Sequence, residues 1–391
     1  MLPYHSPRTL SLTPHRDVWL EINLGALEHN ALQLRRHIAE EITLMAVIKS
    51  DAYGHGATMV APILEACGFS QFGVASIDEA LQLREAGVEA PILVLGASPD
   101  WAMPLAAQHR IQLTVFNQRH IDALLKLEHR PCIHLKVDTG MHRVGVAPAE
   151  CVGLYQQLVT HQLPCQGIFS HLAKGGDKGG DKGGDAETTL RQYQTFVQVL
   201  EQLQEQKHPL PRYCHLSNSA GQETLMQTAS LLNLARIGLH LYGYGKASVS
   251  QTLGLQPVMG LKGRVVHLQW VEAGEGVSYG HTWVAPERRL IATIPVGYAD
   301  GVPRGLSNRL QARYHGQVVS QVGTITMDQL MLDVTTVANP QLGDAVTLLE
   351  TGIEATQATA LTLTPWANAL STIEYELLCG LRVRLPRVYV R

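Results

Sequence analysis

The stretch TLMAVIK, residues 43–49, is a short apolar run that ends on a lysine and leads into the glycine-rich segment SDAYGHG. Similar runs recur through the first two thirds of the chain, separated by amphipathic helical patterns such as 78–86, 118–128 and 186–206. These further runs are residues 72–75, 91–95, 111–115, 132–137, 166–170, 213–216 and 232–236. Strands buried on both faces lose the alternation of apolar and polar residues, so eight such units predict a parallel (β/α)8 barrel. A doubly wound open sheet fits the same order, but the GxGxxG motif that would favour it is missing.

The texture of the sequence changes after about residue 255. The later runs alternate between apolar and polar residues and are separated by glycine-rich turns; they are 263–271, 290–296, 317–323, 330–334 and 345–349. This pattern predicts a mainly antiparallel β domain. The expected organisation of this α/β chain is therefore a tail over 1–16, a TIM-like barrel over 17–255 and a β-rich C-terminal domain over 256–391. One run, 18–22 (VWLEI), is one strand too many for the barrel, and we expect it to pack on the second domain.

Composition excludes several classes of protein. The net charge is -3 without a basic stripe, so neither nucleic acid nor an anionic membrane is an expected partner. No apolar stretch is long enough to span a bilayer, and the first 16 residues lack the apolar core of a secretory signal. The six cysteines have no CxxC spacing, which predicts reduced thiols in a cytoplasmic protein. The 18 histidines form no HExxH pair, so no metal site is expected.

One segment is of low complexity: Lys-Gly-Gly-Asp occurs three times between Lys174 and Asp185. Glycine at this density with alternating charge cannot bury a face, so we expect a solvated loop. A calcium or phosphate cradle is the alternative, but no hydrophobic anchor punctuates the repeat.

The carboxyl ends of barrel strands are where catalytic residues of this fold are found. Lys49 closes the first such strand. A snorkelling lysine would explain it, and so would a lysine that forms a Schiff base, because partial burial helps an ammonium lose its charge. Tyr53, Gly54 and Gly56 follow at once and suit a phosphate or the rim of a cofactor. The pattern alone leaves both explanations open.

The segment AVIKSDAYGHG, residues 46–56, closely resembles the pyridoxal-phosphate attachment motif of the alanine racemase family. Eight further motifs match that family in the same order: KVDTGMHRVG (136–145), GIFSH (167–171), SNSAG (217–221), ARIGLHLYG (235–243), VSYG (277–280), GYADG (297–301), TMDQ (326–329) and YELLC (375–379). The resemblance covers nearly the whole chain. It implies an α/β barrel plus a β domain, working as a head-to-tail homodimer with pyridoxal 5'-phosphate as cofactor.

The resemblance assigns the two bases. Lys49 would hold the cofactor and serve the D-face of the substrate α-carbon, and Tyr279, contributed by the partner subunit, would serve the L-face. A free phenol has a pKa of about 10, so a tyrosine base needs cationic or hydrogen-bonding neighbours. His171, linked to Arg236, is the expected support for Tyr279, although a structural histidine is an alternative.

Arg236 would face the pyridine nitrogen of the cofactor. A guanidinium only donates hydrogen bonds, so it cannot hold that nitrogen as a pyridinium. The ring is then a weaker electron sink, which favours return of a proton to the α-carbon over transamination.

The remaining site residues also come from the matched motifs. The cofactor phosphate would be bound by Tyr53, Ser219, Tyr375 and the backbone N–H groups of Gly238 and Leu239. Arg143 and the backbone of the partner's Met327 would bind the substrate carboxylate. Lys136 would be carbamylated, because two adjacent buried cations repel; a plain lysine paired with Asp138 is the alternative.

The expected function is therefore interconversion of L-alanine and D-alanine, supplying D-alanine for peptidoglycan. A serine or broad-specificity racemase of the same family is the nearest alternative. A decarboxylase of the same barrel class would need a partner cysteine, against which the VSYG and TMDQ motifs argue. A non-catalytic pyridoxal-phosphate carrier would lack the second domain that bears Tyr279.

Overall fold

The computed structural model describes residues 16–173, 184–216, 231–381 and 384–391, with the backbone alone for 184–186. The predicted tail before Arg16, most of the KGGD repeat and Ser219 lie outside the described residues. The chain forms two compact units. One consists of Leu27–Leu255, and the other combines the segment ending at Ala26 with Gln256–Arg391.

The first unit is built on an eight-stranded sheet whose described strands pair in parallel. Its strands are β2 (Thr43–Val47), β3 (Gln71–Val74), β4 (Ile92–Ala97), β5 (Ile111–Val115), β6 (Ile133–Lys136), β7 (Cys165–Phe169), β8 (Tyr213–His215) and β9 (Leu234–Ile237). From β2 to β8 each strand pairs with the next along the chain, and β9 returns to pair with β2. Between β8 and β9 the Asn233 N–H donates to the Cys214 carbonyl at 3.1 Å, which draws the sheet into a barrel. The predicted barrel is confirmed, and its strands are buried along most of their length, as the missing alternation predicted.

Helices follow most of these strands, and side-chain caps fix several of their starts. Asn23, Ser76 and Asn117 accept hydrogen bonds from the backbone N–H three residues on, at 2.9, 3.4 and 3.0 Å. The helices of this part of the chain are Leu24–His37, Ala57–Ala66, Ile77–Glu85, Ala102–Gln108, Gln118–Leu125, Pro148–Thr160, Gly184–Glu205 and Ala247–Thr252, with a 3-10 turn at Leu239–Tyr242. Among the described residues, no helix combines the length and the apolar character needed to cross a bilayer.

The second unit is a nine-stranded sheet, ordered β11-β14-β17-β16-β15-β18-β10-β1-β19, with a separate ribbon of β12 and β13. The strands are β1 (Val18–Asn23), β10 (Met259–Arg264), β11 (His267–Val271), β12 (Gly276–Val277), β13 (Trp283–Val284), β14 (Arg289–Ile294), β15 (Gln311–Tyr314), β16 (Gln317–Val322), β17 (Leu330–Asp333), β18 (Ala345–Leu349) and β19 (Arg387–Val390). Two helices, Leu363–Leu370 and Glu374–Gly380, complete it.

The extra first strand belongs to this sheet. β1 lies between β10, to which it is antiparallel, and β19, to which it is parallel. Its residues alternate between buried and half-buried, as in a strand with one face on a core. The run predicted at 263–271 is two strands instead of one. Val265 donates to Asp344 on one side and Val266 to Thr293 on the other, so the chain changes partners between β10 and β11.

Candidate active site

Several predicted site residues meet at one end of the barrel. Lys49 follows β2, Lys136 ends β6, His171 follows β7 and Arg236 lies in β9. Because the strands are parallel, their carboxyl ends share one face of the barrel, and the side chains converge there. The Arg236 Nη2 lies 3.4 Å from the His171 Nδ1. The positive charges of Arg143, Arg236 and Lys49 all lower the pKa of Lys136.

Lys49 opens a short left-handed helical turn, Lys49–Tyr53. Ser50, Asp51, Ala52 and Tyr53 have φ angles of 53–55°, the region that favours glycine. Each such residue costs about 1–2 kcal/mol, so four in a row persist only when their surroundings hold them. Sequence reasoning missed this turn, since none of the four residues is glycine. The glycines expected to shape the region, Gly54 and Gly56, have positive φ angles of 84° and 92° just after it.

Backbone hydrogen bonds account for part of that support. The Ala52 N–H donates to the Ile48 carbonyl at 2.8 Å, and the Gly54 N–H donates to the Ser50 carbonyl at 3.0 Å. The Asp51 carboxylate accepts from the Ala57 N–H at 2.8 Å, which ties the turn to the start of the following helix. The result is a fixed platform on which half-buried Lys49 stands.

Arg236 is buried, with 3% of its surface exposed, and its hydrogen-bond partners among the described residues are neutral. Its Nη2 donates to the Ser170 and Leu216 carbonyls at 2.9 and 3.2 Å, and its Nη1 donates to the His215 Nδ1 at 2.7 Å. Burial lowers the pKa of Arg236 to about 9, so the guanidinium stays charged at neutral pH. A buried cation held only by neutral acceptors suits a position facing the neutral nitrogen of an aromatic ring.

The contact with His215 fixes the donor and acceptor roles in a chain of hydrogen bonds through the barrel interior. Arginine can only donate, so the His215 Nδ1 accepts and its proton sits on Nε2. That nitrogen lies 2.9 Å from the His134 Nδ1, which must accept in turn. The His134 proton is therefore on Nε2, 3.0 Å from the Gln112 side-chain oxygen. The relay runs from Arg236 through His215 and His134 to Gln112.

Sequence reasoning missed the other three members of this relay, His215, His134 and Gln112. They lie in β8, β6 and β5, where a polar residue in an apolar run was the available signal. A second signal was Gly167, because a Cβ built there would lie 2.3 Å from the His134 Nδ1. The first residue of the matched GIFSH motif is thus a glycine that makes room for the relay.

The histidines of this region are neutral. Burial, and then the charge of Arg236, lowers the pKa of His134 to about 3 and that of His215 well below its usual range. Burial and the charges of Arg236, Arg143, Lys136 and Lys49 lower the pKa of His171 to about 3. The same crowding acts on Lys136, where burial and then Arg143 lower the pKa to about 8. About a tenth of this amine is therefore unprotonated at pH ~7, far more than for an ordinary lysine with a pKa of about 10.4.

Arg143 is exposed at the tip of a loop that Asp138 shapes. The Asp138 Oδ1 accepts the N–H groups of Gly140, Met141 and His142, each at 3.0 Å. The loop is also tied to the neighbouring strand end, since the Thr139 and Ser170 hydroxyls lie 2.8 Å apart. Among the described residues Lys136 makes no ion pair, and its ammonium lies 5.5 Å from the centre of the Phe169 ring. The alternative in which Lys136 pairs with Asp138 therefore gains no support.

A second backbone feature lies beside the Lys49 turn. A Cβ at Gly238 would approach the Tyr53 hydroxyl to 2.9 Å, so only glycine lets these two groups come so close. The 3-10 turn Leu239–Tyr242 begins directly after Gly238. The Tyr53 and Tyr242 rings lie 5.1 Å apart and support one another. The Tyr53 hydroxyl and the backbone at Gly238 thus lie side by side, and a phosphate site there stays a prediction; Ser219 lies outside the described residues.

The other predicted residues belong to the β unit. Tyr279 lies on a tight turn, is 73% exposed, and is anchored by its carbonyl, which accepts from the Thr324 hydroxyl at 2.7 Å. Met327 is 53% exposed. Its loop is tied to the GYADG segment, because the Ala299 N–H donates to the Met327 carbonyl at 3.0 Å. Tyr375 is half-buried in the helix Glu374–Gly380.

Comparisons with known proteins agree with this geometry. A model described as "Alanine racemase, N-terminal domain" matches residues 22–246, and one described as "Alanine racemase, C-terminal domain" matches residues 258–389. The alanine racemase of Synechocystis sp. is 40% identical over 382 residues, which cover 95% of this chain and 98% of the relative. A Bacillus anthracis alanine racemase structure with bound L-Ala-P has a TM-score of 0.84 at 32% identity, covering 97% of this chain and 96% of that one. A crystal structure of alanine racemase from E. faecalis has a TM-score of 0.85 at 32% identity, covering 96% of this chain and 99% of that one.

Proposed function

The chain belongs to the alanine racemase family and interconverts L-alanine and D-alanine, and we propose that it does so with Lys49 and Tyr279 as its two bases. The observation that carries the proposal is the convergence of Lys49, Lys136, Arg143 and Arg236 at one end of the barrel. Four charged groups shift the pKa of Lys136: Arg143, Arg236 and Lys49 are cations, and Asp138 is the single anion among them. Such an excess of positive charge fits a site for anions.

The family depends on pyridoxal 5'-phosphate, and the residues present fit that group. The Tyr53 hydroxyl and the N–H groups of Gly238 and Leu239 would hold the phosphate, joined by Ser219 and Tyr375 as the motifs predict. The neutral partners of Arg236 leave its charge available for the ring nitrogen. When bound, the cofactor supplies the electron withdrawal that makes the α-proton of the amino acid acidic.

Lys49 would hold the cofactor and then take or return a proton on one face of the α-carbon. The left-handed turn fixes where its Cα stands. Tyr279 would do the same on the opposite face of the partner's site. The exposure of its phenol and the anchoring of its carbonyl support a role toward another subunit.

His171 can favour the phenolate form of that tyrosine. Because Arg236 donates to the His171 Nδ1, the imidazole proton sits on Nε2. An Nε2–H donor stabilises an oxygen anion, and the depressed pKa keeps the ring neutral throughout. Arg236 remains the fixed source of positive charge behind it.

The substrate carboxylate would be bound by Arg143 and by the backbone N–H of the partner's Met327. Lys136 would carry a carbamate. Its unprotonated Nζ adds to carbon dioxide, one proton is released, and the neutral amine becomes an anion beside Arg143. The lowered pKa of Lys136 and the surrounding cations support this modification.

The wider role follows from the chemistry. We propose a homodimer that supplies D-alanine for peptidoglycan in the cytoplasm. The six free cysteines are in keeping with a reducing compartment. The relatives and structures named above are alanine racemases, so the serine or broad-specificity alternative is not favoured.

Deuterium exchange at the α-carbon tests the two-base proposal. In deuterated water the native enzyme is expected to exchange and racemise both alanine enantiomers, and serine far more slowly. Tyr279→Phe should slow exchange from L-alanine by roughly 10²–10⁴-fold while exchange from D-alanine, served by Lys49, continues. Tyr193→Phe in the barrel unit is the matched control. Equal exchange from both enantiomers in Tyr279→Phe would remove Tyr279 from its role.

A further inference from the structure

Four consecutive residues in the left-handed region cannot hold themselves, and the turn Lys49–Tyr53 has one support that comes from elsewhere in the barrel. The Glu79 Oε1 accepts the Ser50 N–H at 2.7 Å. Ser50 is the residue directly after Lys49, and it is the first in the left-handed conformation. The support therefore acts where the chain leaves the ordinary strand geometry.

The other oxygen of the same carboxylate binds the next strand. The Glu79 Oε2 accepts the Ala75 N–H at 2.7 Å. Ala75 follows β3, and β3 pairs with β2, which precedes Lys49. One carboxylate thus links the ends of two adjacent strands through short, charge-assisted hydrogen bonds. Both N–H groups lie beyond the ends of β2 and β3, where the pairing of the two strands has stopped.

Helix capping does not account for this arrangement. Ser76 and Glu79 have the S-x-x-E spacing of a capping box, in which the glutamate returns to the N–H of the capping residue. Ser76 does cap the helix Ile77–Glu85, since its hydroxyl accepts the Glu79 N–H at 3.4 Å. The Glu79 carboxylate instead reaches past Ser76 to Ala75 and across to Ser50. The Glu79 carboxylate therefore contacts the Lys49–Tyr53 turn and not the N–H of its own helix cap.

We propose that Glu79 is a positioning residue that holds the left-handed turn and thereby sets where Lys49 stands at the mouth of the barrel. The link to catalysis rests on the proposed role of Lys49, whereas the link to the turn does not. A glutamine at this position retains one acceptor oxygen but turns an N–H₂ group toward the second backbone N–H. An aspartate is one methylene shorter and cannot span both strand ends.

The test compares Glu79→Gln with Asp78→Asn in the holoenzyme. Asp78 is exposed in the first turn of the same helix, so its replacement removes a similar charge near the same helix terminus. Because the glutamine keeps one acceptor oxygen, we expect Glu79→Gln to raise amide hydrogen exchange at Ser50, at Ala75 or at both, by roughly 10- to 100-fold at the N–H that loses its charge-assisted bond. The dissociation constant for pyridoxal phosphate should rise by a similar factor, with kcat lowered and the alanine KM little changed. Asp78→Asn should leave the exchange rates, the cofactor dissociation constant, kcat and KM unchanged.

Several outcomes decide the matter. Unchanged exchange at both Ser50 and Ala75 in Glu79→Gln would overturn the proposal, and so would faster exchange with native cofactor affinity, because a merely structural role predicts that result. If Glu79→Gln does not fold, Glu79→Asp is expected to show the same changes in smaller measure, and native behaviour of that variant would equally refute it. If exchange and cofactor affinity change as expected but the native enzyme does not racemise alanine, the proposed function fails while the role of Glu79 in the turn stands.

Discussion

Replacement of His134 by glutamine is expected to make the protein less sensitive to acid. His134 is fully buried, accepts from His215 and donates to Gln112. Glutamine also offers one acceptor oxygen and one donor nitrogen, so the relay retains a link at this position. What the substitution removes is a group that can bind a proton after unfolding.

The magnitude follows from the difference between two pKa values. Burial lowers the pKa of His134 in the folded protein to about 3, whereas an unfolded histidine has a pKa of about 6.5. Because the folded value is the lower one, the contribution is fully present above pH ~6.5 and is lost as the pH falls toward 3. At pH ~5 one such histidine destabilises the folded state by about 2 kcal/mol. His171 and His215 act in the same direction, and together they approach the whole stability of a domain.

The assay is the unfolding midpoint as a function of pH, compared between variant and native enzyme. The constant cost of the substitution cancels when the change between pH ~7.5 and ~5 is compared. For a unit of this size about 2 kcal/mol corresponds to a difference of about 4–8 °C in the acid-induced loss of Tm. His161→Gln, on the surface, is the control and should follow the native curve. If His134→Gln lost stability in acid as steeply as the native enzyme, His134 would be protonated in the folded state and the proton order of the relay would be wrong.

Three further predictions follow from separate contacts. Arg84 donates to the carbonyls of His109, Val88, Ala90 and Arg110 at 2.6–3.0 Å. Arg84→Lys should therefore lower the free energy of unfolding, measured in urea, by about 2–4 kcal/mol. A loss no larger than that of the exposed control Arg130→Lys would contradict this prediction. Gly238→Ala should weaken the binding of pyridoxal phosphate about tenfold in equilibrium dialysis, because the new Cβ would crowd the Tyr53 hydroxyl. The control is Gly153→Ala, whose Cβ would meet open space, and equal binding by both variants would refute the predicted phosphate site at Gly238. With ¹³C-bicarbonate, NMR should show a carbamate resonance that grows as the pH rises through about 8 and is missing from Lys136→Met; a native enzyme without that resonance would show that Lys136 stays a plain amine.

The sequence predicted the barrel well because its signal is local. A strand buried on both faces is an unbroken apolar run, and each of the eight runs overlaps an observed strand. The same reasoning placed Lys49, Lys136 and His171 at strand ends, and parallel pairing then brings them together. The break between β10 and β11 could not be predicted, since Val265 and Val266 are apolar like their neighbours and only their hydrogen-bond partners differ.

The rest of the site depends on contacts between distant segments. Nothing in Ser50, Asp51 or Ala52 predicts a left-handed turn, because no residue there is glycine; part of what holds it is a carboxylate 29 positions beyond Ser50. The relay likewise needs residues from four strands to face one interior, and periodicity within a strand does not reveal which polar side chains meet. Motif resemblance supplied the residues predicted to bind the cofactor and substrate, but it gave no signal for Glu79, Gln112 or His134.

These two unpredicted features share a physical logic. A barrel end crowded with cations needs anionic ligands, yet the cations must stay where they are when those ligands leave. Arg236 is held by carbonyls and by a histidine that can only accept from it, so its position needs no counter-charge. Lys49 is held through its backbone by Glu79, whose carboxylate is used on N–H groups and not on the ammonium. In both cases the groups that fix the position do not themselves neutralise the charge of the side chain.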